Sequence, residues 1–177
     1  MFSTPHYVYF ENFLPNYMFQ EISSILEKDN FDWYWRKGAT IDDEEYNFFH
    51  HLYYTNGEQE HKGPYYNLFE TIFTNILSKF EGNKLIRAKL TLHVARPERK
   101  YTAMHYDVTD KVGGNGGSPN VNIIIYNFTT CNGGTKIGDT EISSQENSAI
   151  MFSNIKKHAG IIQTDVPRRI LLNMVFE

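Results

Sequence analysis

His105-Tyr106-Asp107 opens the last third of the chain, and Gly133-Gly134, His158 and Arg168-Arg169 follow it before the end at Glu177. Reading this stretch decides the fold. Val121-Asn122-Ile123-Ile124-Ile125-Tyr126-Asn127-Phe128 is a β-branched run bounded by turn residues, which predicts a strand. Cys131-Asn132-Gly133-Gly134 reads as a turn. Ser148-Ala149-Ile150-Met151-Phe152 is a short apolar strand leading toward His158. Arg169-Ile170-Leu171-Leu172-Asn173-Met174-Val175-Phe176 is apolar on both faces, as expected of a closing strand buried between two layers.

The polar landmarks suggest a metal site. In a strand, residues i and i+2 face the same side. His105 and Asp107 would therefore offer an imidazole and a carboxylate to one ion, with His158 adding a second imidazole from a distant strand. Two His and one carboxylate on one face leave opposite positions open and suit non-haem Fe(II). An H-x-D triplet is common by chance, and a lone His is usually a packed or surface residue. The order carries the reading: H-x-D, glycines, strand, His, then Arg on the final strand. An arginine there is apt for an organic acid, because its planar fork can hold a carboxylate with two parallel hydrogen bonds.

In this order the chain resembles the Fe(II)- and 2-oxoglutarate-dependent oxygenases. The matching pieces are His105/Asp107, Gly133-Gly134-Thr135, Asn147/Phe152, His158/Gly160, Thr164-Asp165 and Arg169/Asn173. In particular it resembles a small single-domain group encoded by tailed phages of marine bacteria, distantly similar to prolyl 4-hydroxylases. Phe10-Glu11-Asn12-Phe13-Leu14-Pro15, Phe31-Asp32-Trp33-Tyr34-Trp35 and Arg87-Ala88-Lys89 extend the likeness over nearly the whole chain. Asn132-Gly133-Gly134-Thr135 departs from that group's N-G-Y-T.

The resemblance implies a mainly β fold, a double-stranded β-helix (jelly roll) with two buttressing helices, as a single domain over 1–177. It implies that His105, Asp107 and His158 hold Fe(II), that 2-oxoglutarate chelates the iron, and that an arginine pairs with its far carboxylate. Two registers compete for that arginine. The spacing of prolyl hydroxylases after the distal His favours Arg168. The pattern T-D-x-x-x-R-x-x-x-N, through Thr164, Asp165 and Asn173, selects Arg169. Arg169 is the expected anchor, with Arg168 as the competitor and Asn173 and Tyr126 also placed around the cofactor.

Composition sets the frame. A chain of 177 residues suits one domain with a sizeable core, and 41% hydrophobic with 15% aromatic residues fits packed β-layers. A net charge of −4 does not advertise a nucleic-acid surface. The basic cluster Arg87, Lys89, Arg96, Arg99 and Lys100 reads as a solvated loop edge. A single cysteine, Cys131, excludes an internal disulfide and fits a reducing compartment. No apolar run approaches the ~18 residues of a membrane span. The N-terminus lacks the basic and apolar regions of a signal peptide, so a cytoplasmic protein is expected, in the host's cytoplasm if phage-encoded.

The preceding residues read as scaffold and substrate wall. Tyr7-Val8-Tyr9-Phe10 is a first strand, and Pro15 opens a helix with Met18, Ile22, Ile25 and Leu26 on one face. Alternation puts Phe31, Trp33 and Trp35 on one face, as core. Ile41-Asp42-Asp43-Glu44-Glu45 is a solvated acidic run. His50 and His51 point to opposite faces of a strand and cannot readily share one ion. Gly63-Pro64 starts a second helix with Tyr66, Phe69, Phe73, Ile76, Leu77 and Phe80 on one face, and Glu81-Gly82-Asn83 stops it. Leu85 to Val94 alternates, with Arg87, Lys89, Thr91 and His93 on its polar face. Whether that face lines a pocket or meets water stays open. Lys111 to Asn120 carries four glycines; a strand rather than a helix follows, so a phosphate-binding loop is rejected. A mobile lid beside the metal is expected instead.

The expected activity is a dioxygenase of hydroxylase type that couples 2-oxoglutarate decarboxylation to substrate oxidation, with ascorbate in support. Its partners are 2-oxoglutarate, dioxygen and a peptide, protein or small molecule in preference to nucleic acid. A cupin-type isomerase, another jelly-roll metal protein or a non-catalytic binding module is the alternative.

Overall fold

Alternation along Leu85–Val94 and Arg168–Phe176 makes these two segments the long central strands, paired antiparallel with Lys89 opposite Asn173 and His93 opposite Arg169. The structure, a computed structural model, describes residues 7–38, 47–56, 58–60, 65–80, 84–109 and 116–177. The acidic run at 41–45, His61, Gly63-Pro64, the helix stop at 81–83 and residues 111–115 of the glycine-rich loop lie outside the described residues. In chain order the elements are β1 (Tyr7–Phe10), α1 (Asn16–Leu26), β2 (Tyr34–Arg36), β3 (Phe48–Thr55), β4 (Glu58–Gln59), α2 (Tyr66–Lys79), β5 (Leu85–Val94), β6 (Lys100–Tyr101), β7 (Asn122–Asn127), β8 (Cys131–Ile137), β9 (Thr140–Ser144), β10 (Ser148–Ser153), β11 (His158–Ile162) and β12 (Arg168–Phe176).

Two antiparallel sheets form a jelly roll. The larger runs β1-β10-β7-β12-β5-β3-β2, with β4 on β3, and the smaller runs β6-β11-β8-β9. Strand alternation sends each inner residue to one of two cores. Ile123, Ile125, Ile137, Phe152, Leu171 and Val175 pack between the sheets. Leu90, Ile124, Tyr126, Leu172 and Met174 face the other way, onto the helices. The helix α1 follows Pro15, whose φ of −51° suits helix entry, and buries Phe19, Ile22, Ile25 and Leu26. The helix α2 buries Tyr66, Phe69, Ile72, Phe73 and Ile76. Both helices thus buttress the outer face of the large sheet. Among the described residues no helix is long and apolar enough to cross a membrane.

Two expectations need correction. Cys131 to Gly134 is not a turn but the start of β8. Its glycines answer close backbone approach. A Cβ on Gly134 would lie 2.1 Å from the Ile142 carbonyl oxygen, and one on Gly133 2.7 Å from that of Ile161. The β8–β9 register shifts between Cys131 and Gly134, a bulge where glycine is at home. The second concerns the aromatic segment. Phe31 and Trp33 pack at 4.9 Å between ring centroids, but Trp35 lies on the edge strand β2 and is 58% exposed.

Candidate metal and cofactor site

His105 and His158 stand opposite each other in an isolated antiparallel bridge and exchange both backbone hydrogen bonds at 3.0 Å. Asp107 follows in a bend rather than a strand, so the same-face rule does not itself aim it. Asn154 does. Its Oδ1 accepts from the Asp107 N–H at 3.0 Å, and its Nδ2 donates to the Val108 carbonyl. Gly117 packs on Asn154 so closely that a Cβ would fall 1.7 Å from the Asn154 carbonyl oxygen. The described end of the glycine-rich loop is thereby tied down, with Gly117 also bridging Thr109.

The three side chains converge, with one ligand atom from each lying within 4.8 Å of the others. Asp107 stands 3.7 Å from His105 Nε2 through Oδ1 and 3.6 Å from His158 Nε2 through Oδ2. His105 Nδ1 lies 2.9 Å from the Ala103 carbonyl oxygen. A carbonyl only accepts, so Nδ1 carries the proton and Nε2 presents its lone pair to an ion. Burial pushes His158 down to about 4, outweighing the pull of Asp107, and keeps it neutral at pH 7. Burial alone would raise the Asp107 pKa, but the Arg87 guanidinium beside it holds the carboxyl well below its usual range. Two imidazoles and one carboxylate turned toward one another are the donor set a divalent transition metal needs.

Asp107 is held from behind as well. Asn173 Nδ2 donates to Asp107 Oδ2 at 3.1 Å, and Arg87 forms an ion pair with Asp107 Oδ1. Arg87 also donates to Asn173 Oδ1 at 3.0 Å, which fixes the amide's orientation. Asn173, expected beside the cofactor, therefore acts first on the Asp107 carboxylate.

A cavity of about 220 Å³ opens from the three ligands, walled by β5 and β12. Arg87, Lys89, Thr91 and His93 all line it, so the polar face of β5 looks into the pocket rather than into water. For Arg87 and Lys89 this corrects the loop-edge reading of the basic cluster. Arg169, Leu171 and Asn173 line it from β12. Arg169 is fully buried and reaches across to the small sheet, donating to the Gly134 carbonyl at 2.9 Å and to Asn127 Oδ1 at 3.2 Å. Its Nε is buried without a partner, and it has no carboxylate in ion-pair range among the described residues. Burial lowers its pKa to about 10, which leaves it charged at neutral pH. Beside it, burial and the charges of Arg169 and Lys89 push His93 down to about 3.

Two expected cofactor residues do not reach the cavity. Arg168 is exposed at the start of β12, because neighbouring strand residues face opposite ways. Tyr126 is fully buried on the helix side of β7, where its hydroxyl donates to Asn147 Oδ1 at 2.8 Å and its ring packs on Phe13 and Phe128. Its neighbour Ile125 is the β7 residue that lines the pocket. His50 and His51 do not line it either; His51 Nδ1 lies 2.8 Å from the Asp32 carbonyl oxygen. The positioning roles of Asn154 and Gly117 leave no sequence signal. Asn173 does leave one, standing four residues after Arg169 on the same strand face.

No family model and no curated protein matches the sequence. Solved structures match over almost its whole length. An oxidoreductase of the 2OG-Fe(II) oxygenase family from Burkholderia pseudomallei aligns with a TM-score of 0.72 at 10% identity, over 97% of this chain and 85% of that one. A prolyl hydroxylase from Trichoplax adhaerens, in complex with a hypoxia-inducible-factor peptide fragment, aligns with a TM-score of 0.69 at 8% identity, over 98% and 84%. HygX from Streptomyces hygroscopicus, with nickel, 2-oxoglutarate and hygromycin B bound, aligns with a TM-score of 0.64 at 7% identity, over 99% and 84%. The fold is that shared by these oxygenases.

Proposed function

We propose that the chain is an Fe(II)- and 2-oxoglutarate-dependent dioxygenase of hydroxylase type, acting as one domain. One observation carries this: a single cavity joins a His105–Asp107–His158 cluster to Arg169, a buried guanidinium with no carboxylate partner among the described residues. His105, Asp107 and His158 would hold the metal, and as two imidazoles and one carboxylate they leave coordination positions for small ligands. Arg169 receives the far carboxylate of 2-oxoglutarate, and its unpartnered Nε adds donor capacity toward an acid. Arg87 and Asn173 keep Asp107 ionised and oriented, and Leu171 and Ile125 supply apolar wall that excludes water. When bound, iron and 2-oxoglutarate supply the oxidising chemistry, in which decarboxylation to succinate is coupled to oxidation of the substrate. The substrate is a peptide or small molecule, in line with the peptide bound by the Trichoplax enzyme and the hygromycin B bound by HygX. The likeness to the phage-encoded group and the lone, free Cys131 fit a cytoplasmic setting, a host's if the chain is phage-encoded.

The test is anaerobic loading with Fe(II) and 2-oxoglutarate, followed by oxygen. The expected result is one metal per chain, a visible charge-transfer band of the Fe(II)–2-oxo acid chelate, and succinate on admission of oxygen, with ascorbate sustaining turnover. Metal binding without the band and without succinate would favour a jelly-roll isomerase or binding module instead.

A further inference from the structure

The dioxygenase reading leaves one lining cation without a task. Lys89 extends from the middle of β5, opposite Asn173 on β12 and Leu52 on β3. No carboxylate lies in ion-pair range of its ammonium among the described residues, and its Nζ lies 5.3 Å from the centroid of the Phe48 ring. Arg87, on the same face two residues earlier, binds Asp107 and Asn173 yet keeps a buried Nε without a partner. Charged groups removed from water without a counter-charge are costly, so an excess of one sign in a pocket points to what the pocket takes up.

The excess survives loading. Arg87, Lys89 and Arg169 face the cavity as permanent or basic cations, and among the described residues Asp107 is the only carboxylate lining it. His93 is held neutral by burial and the neighbouring charges, as given above. A divalent metal ion and the 2-oxoglutarate dianion cancel each other's charge. The cationic side chains of the wall therefore still outnumber its carboxylates after both are bound, and Lys89 is the one left without a counter-charge among the described residues. Burial first, then Arg87 and also Arg36, push Lys89 down to about 7 against the pull of Asp107, as expected of an ammonium crowded by cations. An acid group here would pair with the Lys89 ammonium, whereas a neutral or cationic substrate that displaced water would leave it desolvated or strip its proton.

We infer that the substrate carries an acid group, a carboxylate or a phosphate, which seats against Lys89 with Arg87 behind it. The inference rests on the dioxygenase reading, which assigns Arg169 to 2-oxoglutarate and so frees Lys89 for the substrate.

The test uses the whole protein loaded with Zn(II) in place of iron and saturated with 2-oxoglutarate, titrated calorimetrically with benzoate, phenyl phosphate, benzamide and benzylamine. At least one of the two anions should bind about tenfold or more tightly than benzamide, and benzylamine should bind weakest. Comparison of benzoate with phenyl phosphate tells which acid the site prefers. Lys89→Met should still take up Zn(II) and 2-oxoglutarate but lose the preference for anions. Equal binding of anions and benzamide sinks the inference. So does a preference that persists in Lys89→Met, since that would reflect the metal rather than the wall. Failure of the wild type to take up Zn(II) and 2-oxoglutarate at the outset rejects the dioxygenase reading itself, and this inference with it. Uptake without charge preference rejects the inference alone.

Discussion

Arg169 is a buried cation with three neutral acceptors, the Gly134 and Ile161 carbonyls and Asn127 Oδ1, and no anion in range among the described residues, while Arg168, one residue earlier, points into solvent. Loss of a charge-assisted pair in such a desolvated place costs on the order of 2–5 kcal/mol. Arg169→Ala should therefore raise the 2-oxoglutarate concentration required by well over tenfold at unchanged metal content, and Arg168→Ala should change little; titration of both variants checks this. At the other end of the cavity, His105→Ala or Asp107→Ala should abolish stoichiometric metal binding. Asn173→Ala keeps all three ligands but frees Asp107, and should weaken metal affinity by roughly 10–100-fold in a chelator competition. His93 offers a test by pH. Its folded pKa, about 3, lies below the unfolded value of 6.5, so the unfolded chain binds more protons between the two. The contribution is fully present above pH 6.5 and is lost as pH falls toward 3, by an amount on the order of a few kcal/mol. The urea midpoint of the wild type should drop more steeply between neutral pH and pH 4 than that of His93→Gln. Parallel slopes would show that His93 is not held neutral.

At the scale of elements, β8 ties the two sheets together through one carbonyl. Gly134 presents its oxygen to Arg169 and leaves no room for a side chain against Ile142. Gly134→Ala must push β8 away from β9, at a cost of about 1–3 kcal/mol, as for other overpacked positions. It should also weaken 2-oxoglutarate binding by moving the Gly134 carbonyl. Gly138, in the turn that follows β8, has φ +55° and open space around it. Gly138→Asn should be nearly neutral, because asparagine tolerates that backbone region. Denaturant melts of the two variants separate a glycine needed for space from one needed for its torsion.

On the scale of the whole molecule, the cavity joins the two sheets, so filling it should tighten the entire jelly roll. A ligand at a hundred times its Kd adds about 2.7 kcal/mol of stability. Zn(II) should raise the melting temperature, 2-oxoglutarate should raise it further only when metal is present, and chelation should reverse both. In Arg169→Ala the second increment should vanish while the first remains. A 2-oxoglutarate increment without metal would mean that the acid sits away from the three ligands.

The sequence by itself carried the strands, because alternation and β-branching are local properties of the chain. Val121–Phe128 and Arg169–Phe176 read as β7 and β12, and the stripes around Ile22 and Phe73 read as the two helices. The alternation of β5 also put Arg87, Lys89, Thr91 and His93 on one face. Only the tertiary structure decided that this face meets a cavity, because burial depends on which strands become its neighbours. The same limit explains the misread Gly133-Gly134. A glycine kept free of a side chain by a distant carbonyl looks, in one dimension, like a glycine in a turn. His105 and Asp107 were legible by spacing, yet they meet His158 through a backbone bridge and an Asn154 cap that belong to no local pattern. Tyr126 lies on the opposite face of β7 from the pocket, and only strand register shows it. Side-chain chemistry and periodicity are written along the chain; which groups face one another is set by the closing of the two sheets.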